Sequence, residues 1–125
     1  MATLTKTIGS LNNYIQANRL NRGECPFTAK VHCADGFSMS VQANFGSYCK
    51  PRNNEGPYSE VEVGYPSKAD PMLLPYMEMG GNDNPTDTVY PYVPVEVVEQ
   101  VIQIHGGYYR NRWHSFLIKF LALIG

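Results

Sequence analysis

The sequence is short of cysteine, of net charge of either sign, and of long apolar runs. Its three cysteines, Cys25, Cys33 and Cys49, are odd in number, which argues against a closed disulfide framework. None stands at the paired C-x₂₋₄-C spacing of a structural zinc site, so Cys25, Cys33, Cys49, His32, His105 and His114 are not expected to hold a metal. Ten Lys and Arg face eleven Asp and Glu, a net charge of -1, which gives neither the basic excess of a dedicated nucleic-acid binder nor the acidic excess of a DNA mimic. The longest apolar stretch, FLIKFLALI at 116–124, is broken by Lys119 and falls short of the roughly 20 residues that span a bilayer, so no membrane partner is expected. The opening MATLTKTIGS lacks a basic segment followed by an apolar run, so no leader is expected there. Together with the odd cysteine count, that points to a reducing cytoplasm. No glycine-rich loop opens a helix with a phosphate-binding pattern, and no cofactor is expected. Gly80-Gly81 runs instead into Asn-Asp-Asn-Pro, a turn.

What is present is an ordinary globular composition, 43% hydrophobic and 17% charged, in 125 residues, the length of one domain. Leu4, Ile8, Leu11, Ile15 and Leu20 keep helical spacing, and Ser10 is placed to cap a helix over 10–20. Two alternating runs follow, Phe27 to Cys33 and Phe37 to Ala43. A three-residue loop, Ala34-Asp35-Gly36, pairs Cys33 with Phe37, Val31 with Met39 and Ala29 with Val41, and puts every apolar residue on one face. A two-residue turn would set Val31 opposite Ser40. In that register Cys33 points inward, His32 points outward and Asp35 belongs to the turn, so VHCAD reads as a hairpin tip rather than a catalytic cluster.

A third strand is expected over Tyr58–Tyr65, with Val61, Val63 and Tyr65 on one face and Tyr58, Glu60 and Glu62 on the other. Thr88 to Val93 reads as an edge strand, because Pro91 cannot donate to a central ladder. Pro94 to His105 is the clearest helix. Val97, Val98, Val101, Ile102 and Ile104 form its stripe, Glu96, Glu99, Gln100 and Gln103 face water, and Gly106-Gly107 ends it. The expected fold is therefore α+β, an antiparallel sheet of three to four strands with the helices at 10–20 and 94–105 on one face. Residues 108–125 follow as a C-terminal extension of the single domain. It is basic first and apolar after, with Phe116, Leu117, Phe120, Leu121 and Ile124 at helical spacing. Such a stripe would serve self-association or partner contact.

VHCADGFSMSVQA, YCKPR, GPYSEVEVGYPS and VYPYVPVEVVEQVIQIHGG resemble blocks of small uncharacterised proteins encoded by temperate bacteriophages and prophages. The resemblance spans about residues 31–107. It implies a setting, a bacterial cytoplasm during infection or lysogeny. It also implies a class of action, binding and blocking a host protein complex, as anti-CRISPR and other anti-defence factors do. Proteins of that pattern stop soon after HGG, whereas eighteen residues follow Gly107 here.

The residues themselves favour protein recognition over catalysis. Nine tyrosines and one tryptophan supply the side chains enriched at binding hot spots. Tyr58, Glu60 and Glu62, together with Tyr90 and Tyr92, are the candidate contact residues, joined by Arg110, Arg112 and Trp113 in the extension. The outside candidate for chemistry is Cys49, in a loop beside Lys50 and near Arg52, where positive charge would favour the thiolate. That small enzyme would need a base such as His105 brought within reach. A further alternative is single-stranded nucleic acid on the mixed aromatic and basic segment from Tyr108 to Trp113.

Overall fold

The computed structural model describes residues 11–21, 23–80 and 83–110. Ser10, Leu4 and Ile8 of the first helix, and Arg112, Trp113, His114 and the apolar stripe of the extension, lie outside the described residues.

The fold is α+β. Helix α1 covers 11–17 and is followed by a four-stranded antiparallel sheet in the order β1-β2-β3-β4: β1 Val31–His32, β2 Ser38–Gln42, β3 Glu60–Gly64 and β4 Val89–Pro94. Helix α2, Val95–Ile104, follows β4 directly. Leu11 and Ile15 of α1 join Val95, Val98, Val101 and Ile102 of α2 and the inward side chains Val31, Met39, Val41, Val61, Val63 and Val93 in one buried cluster. Among the described residues no helix is long and apolar enough to cross a membrane.

The hairpin register is the expected one through its tip. Val31 pairs with Met39 and His32 with Ser38, and the Cys33 amide donates to the Phe37 carbonyl at 2.8 Å. Gly36 takes φ 97°, where an L side chain would be strained. The ladder ends sooner than the alternation implied. Ala29 does not reach Val41, because residues 28 and 29 turn to the chain leaving α1: Arg19 bridges Thr28, and the Ala29 amide donates to the Asn18 carbonyl. Gln42 replaces the missing rung with its side-chain amide, accepting from the Thr28 amide and donating to the Thr28 carbonyl. The same pairing stops α1 at residue 17 and leaves Leu20 exposed.

Strand β3 keeps Val61 and Val63 inside, but both ends of the expected run are reversed. Tyr58 precedes the strand and is buried, because the Ser59 amide pairs with Lys50 instead of continuing the ladder. Tyr65 takes φ 50° after Gly64 and is exposed. Strand β4 is the edge strand that Pro91 requires. Val61 pairs with Val93 and Val63 with Tyr90, so Pro91 and Tyr92 together face Glu62 in a bulge, where a missing amide proton does no harm.

In α2, Glu99 does not face water. It is buried, and its Oε2 accepts the Leu11 amide of α1 at 3.0 Å. Burial raises its pKa above the ordinary carboxyl value, against the Leu11 bond, and Glu96 adds to the rise. Ile104, expected on the apolar stripe, is exposed.

Candidate functional site

Sequence distance hides the first polar centre. His105 caps the C-terminus of α2, and Gly106 and Gly107, at φ 92° and 86°, turn the chain back. The Gly107 amide closes the helix on Ile102. That reversal sets the end of α2 against the hairpin tip. The Ala34 amide donates to the Gly107 carbonyl at 2.9 Å, and the Asp35 amide to the His105 carbonyl at 3.2 Å. The His105 ring then meets two carboxylates, Asp35 Oδ2 at 2.6 Å from Nδ1 and Asp70 Oδ2 at 2.8 Å from Nε2. Phe37 stacks on the ring, centroids 4.0 Å apart. Asp35 is thus more than a turn residue, and no local motif could have announced this pairing. Both ring nitrogens face carboxylates, and neither is turned toward a nucleophile.

Two of the three thiols fit this inert picture. Cys33 is 1% exposed, and its pKa is pushed up to about 11 by burial and by the Asp35 charge. Cys49, the outside catalytic candidate, is equally buried. Its Sγ lies 3.2 Å from the Asn44 carbonyl and 3.5 Å from that of Pro51. Burial raises its pKa, and the Asn44 bond and the Arg52 and Arg19 charges do not offset that. Its neighbours Lys50 and Arg52 are exposed, and burial outweighs the Arg52 charge, so the thiolate that the sequence suggested is disfavoured where it stands. Cys25 is the exposed thiol. Among the described residues no group of three or more His, Cys, Asp and Glu side chains is placed to hold a metal ion.

The proposed contact residues separate. Tyr58 is interior, its hydroxyl donating to the Asn53 carbonyl and accepting from Arg19. Tyr90 is wholly buried, its hydroxyl donating to the Pro85 carbonyl. Neither can meet a partner. Glu60 and Glu62 are half-buried, Tyr92 is 39% exposed and Arg110 is exposed. Tyr108 stacks on Tyr14, and both line an open groove of about 620 Å³ with Lys30, His32 and Tyr109.

Around Tyr92 the structure assembles a surface that the sequence reading missed. The Tyr92 amide donates to the Tyr48 carbonyl at 3.1 Å, and the Tyr48 amide to Glu62 Oε1 at 3.0 Å. The two rings lie 5.9 Å apart and tilted. Lys50 Nζ stands 5.9 Å from the Tyr92 ring centroid, and the Arg52 guanidinium 5.7 Å from that of Tyr48, both within cation–π range. Phe45 is exposed beside them in sequence, and its carbonyl accepts from Arg52 Nε. Tyr92 sits at φ 54°, a strained backbone for a tyrosine. The available signal was the alternation in YCKPR: with Cys49 inward, Tyr48 and Lys50 must face outward.

In comparisons with family models, curated proteins and solved structures, nothing matches this chain.

Proposed function

We propose that the chain is a small binding protein that acts by protein–protein contact, with the Tyr48–Tyr92 surface as its contact face. The observation that carries this reading is the exposed pair of tyrosines, each flanked by a cation, one of them, Tyr92, on a strained edge-strand bulge. Tyrosine and arginine dominate the energy of binding hot spots, and strained backbone is retained where the surroundings hold a side chain for use. Lys50 and Arg52 select a partner surface that presents carboxylates among apolar groups. The resemblance to temperate-phage proteins supplies the setting, a host complex in a bacterial cytoplasm that the protein inhibits or modulates. Defence assemblies such as CRISPR effectors are the class to test first. The burial of Cys33 and Cys49 and the engagement of His105 by two carboxylates support binding over enzymatic action.

Tyr92→Gly tests the reading, since it removes the ring and relieves the positive φ, so that the fold is kept or strengthened. Wild-type chain on a resin should retain one host complex in stoichiometric amount from bacterial lysate. The variant should bind that complex about 30-fold more weakly or worse, with an unchanged or higher melting temperature. Equal retention by both would move the contact elsewhere. Retention by neither would sink the binding reading. Salt-sensitive retention of single-stranded nucleic acid instead of protein would replace it with the alternative.

A further inference from the structure

His105 is held between unequal carboxylates. Only an imidazolium can donate from both ring nitrogens, whereas the neutral ring has one N–H and must turn a lone pair toward one aspartate. Asp70 is buried, with a side chain 6% exposed, and its Oδ1 already accepts the Met72 amide. An unpartnered carboxylate there would be stranded without water. The Asp35 side chain is 42% exposed on the hairpin turn, and its Oδ1 accepts the Phe37 amide. Water can take the place of its ring partner.

We propose that Asp35, His105 and Asp70 form a proton-operated clasp that opens in a fixed order. Loss of the imidazolium proton bares Nδ1 and releases the Asp35 side chain, while Nε2–H stays on Asp70. The hairpin turn is thereby loosened from the end of α2, and the segment around Asp70 remains tied. Gly36 of that turn lies on the wall of the groove with His32 and Tyr109, so the groove wall carries the change. The backbone bonds from Ala34 and Asp35 to the α2 terminus limit the movement to the turn.

Among the described residues, the charged and titratable groups that act on the clasp are these. Lys68 acts on Asp35, Cys33 feels the Asp35 charge, and Tyr90 feels that of Asp70. Cys33 and Tyr90 both have raised pKa values and stay neutral through the neutral range. Burial works against the His105 cation, but the hydrogen bonds and charges of Asp35 and Asp70 outweigh it and hold its pKa above the ordinary 6.5. The transition therefore belongs to His105.

The test is the ring-nitrogen NMR spectrum of isotope-labelled full chain from about pH 5 to about pH 9. His105 should titrate with a midpoint above 6.5. Above that midpoint it should be the Nε2–H tautomer. The Phe37 amide and the Asp35 carboxyl carbon should shift with it, and the Met72 amide should not. Asp35→Asn should lower the midpoint by about one pH unit and keep the same neutral tautomer. A neutral ring that carries Nδ1–H, a wild-type midpoint below 6.5, or a Met72 amide that moves with Phe37 would overturn the ordered release. The wild-type spectrum alone decides the tautomer, even where a variant folds poorly.

Discussion

Arg19 anchors more of the fold than its position at a helix end suggests. Its guanidinium donates to the carbonyls of Pro26, Ala43 and Asn54 and to the hydroxyls of Thr28 and Tyr58. Those acceptors come from three separated stretches, 26–28, 43 and 54–58, so one side chain ties the α1 exit to the first hairpin and to the loop before β3. Arg19→Ala leaves half-buried acceptors without a donor and should destabilise the fold by about 2–4 kcal/mol in chemical denaturation. A loss under about 0.5 kcal/mol would show that water replaces the guanidinium freely. In the sequence Arg19 is a basic residue near a helix terminus, which is ordinary, and its acceptors are too scattered to be foreseen. The cysteines were partly legible. Cys33 follows from strand alternation and is buried as expected, whereas Cys49, whose loop position beside Lys50 and Arg52 marks it as the more reactive of the two, is equally buried as an anchor of its loop. Alkylation of native protein followed by mass mapping should label Cys25 first, and label Cys33 and Cys49 only on unfolding. Early modification of Cys49 would mean that its loop opens readily.

The hairpin tip and the end of α2 meet closely at Gly106. A Cβ placed on Gly106 would lie 3.0 Å from the Ala34 Cβ, while one on Gly36 would meet nothing within 4 Å. Both glycines have positive φ, so both resist substitution for backbone reasons. Gly36→Ala should cost about 1 kcal/mol, and Gly106→Ala clearly more, about 2–3 kcal/mol, because it also wedges the two elements apart. Denaturant midpoints of the two variants measure the difference, and equal midpoints would show that the junction yields without resistance. The hairpin was legible because its loop, its glycine and its alternation are local, and only one loop length puts all apolar residues together. β4 as an edge strand was legible from Pro91. The faces of Tyr58 and Tyr65 were not, because period-2 reasoning assumes a continuous ladder. Here the ladder is interrupted by the pairing of Lys50 on one side and by a positive φ on the other. The outward reading of Glu99 failed for a similar reason: an amphipathic pattern assigns a glutamate to water, and here it accepts a backbone amide of another helix.

Contacts between distant segments decide how the whole molecule responds to acid and base. His105 has a raised folded pKa, so its stabilisation is fully present below 6.5 and is lost as pH rises through the folded value. Asp35 is lowered, by the Phe37 amide first and by His105 next, so its share is present above 3.8 and is lost as pH falls through its folded value. Glu99, raised by burial, also favours the fold as pH falls. The melting temperature should therefore be higher near pH 5.5 than near pH 8.5, and Asp35→Asn should narrow that gap. A higher melting temperature on the alkaline side would show that His105 is neutral in the fold. The centre responsible joins positions 35, 70 and 105, and no spacing rule in the sequence links residues so far apart. The extension poses the complementary question, because its pattern is legible and its place is not. Tyr108 bridges Cys33, and the Tyr109 amide donates to the His32 carbonyl at 2.7 Å, so the chain as far as residue 109 belongs to the edge of the sheet. A cut after Gly107 would strip that edge, whereas a cut after Arg110 keeps it. The stripe of Phe116, Leu117, Phe120, Leu121 and Ile124 then becomes the variable under test. Chain ending at Arg110 should melt within about 4 °C of the full chain, the shift that a loss of about 1 kcal/mol produces in a chain of this length. By light scattering it should differ from the full chain in assembly state. Loss of the folded state in the shortened chain would make the stripe part of this domain's core and end the assignment of 111–125 to self-association or partner contact.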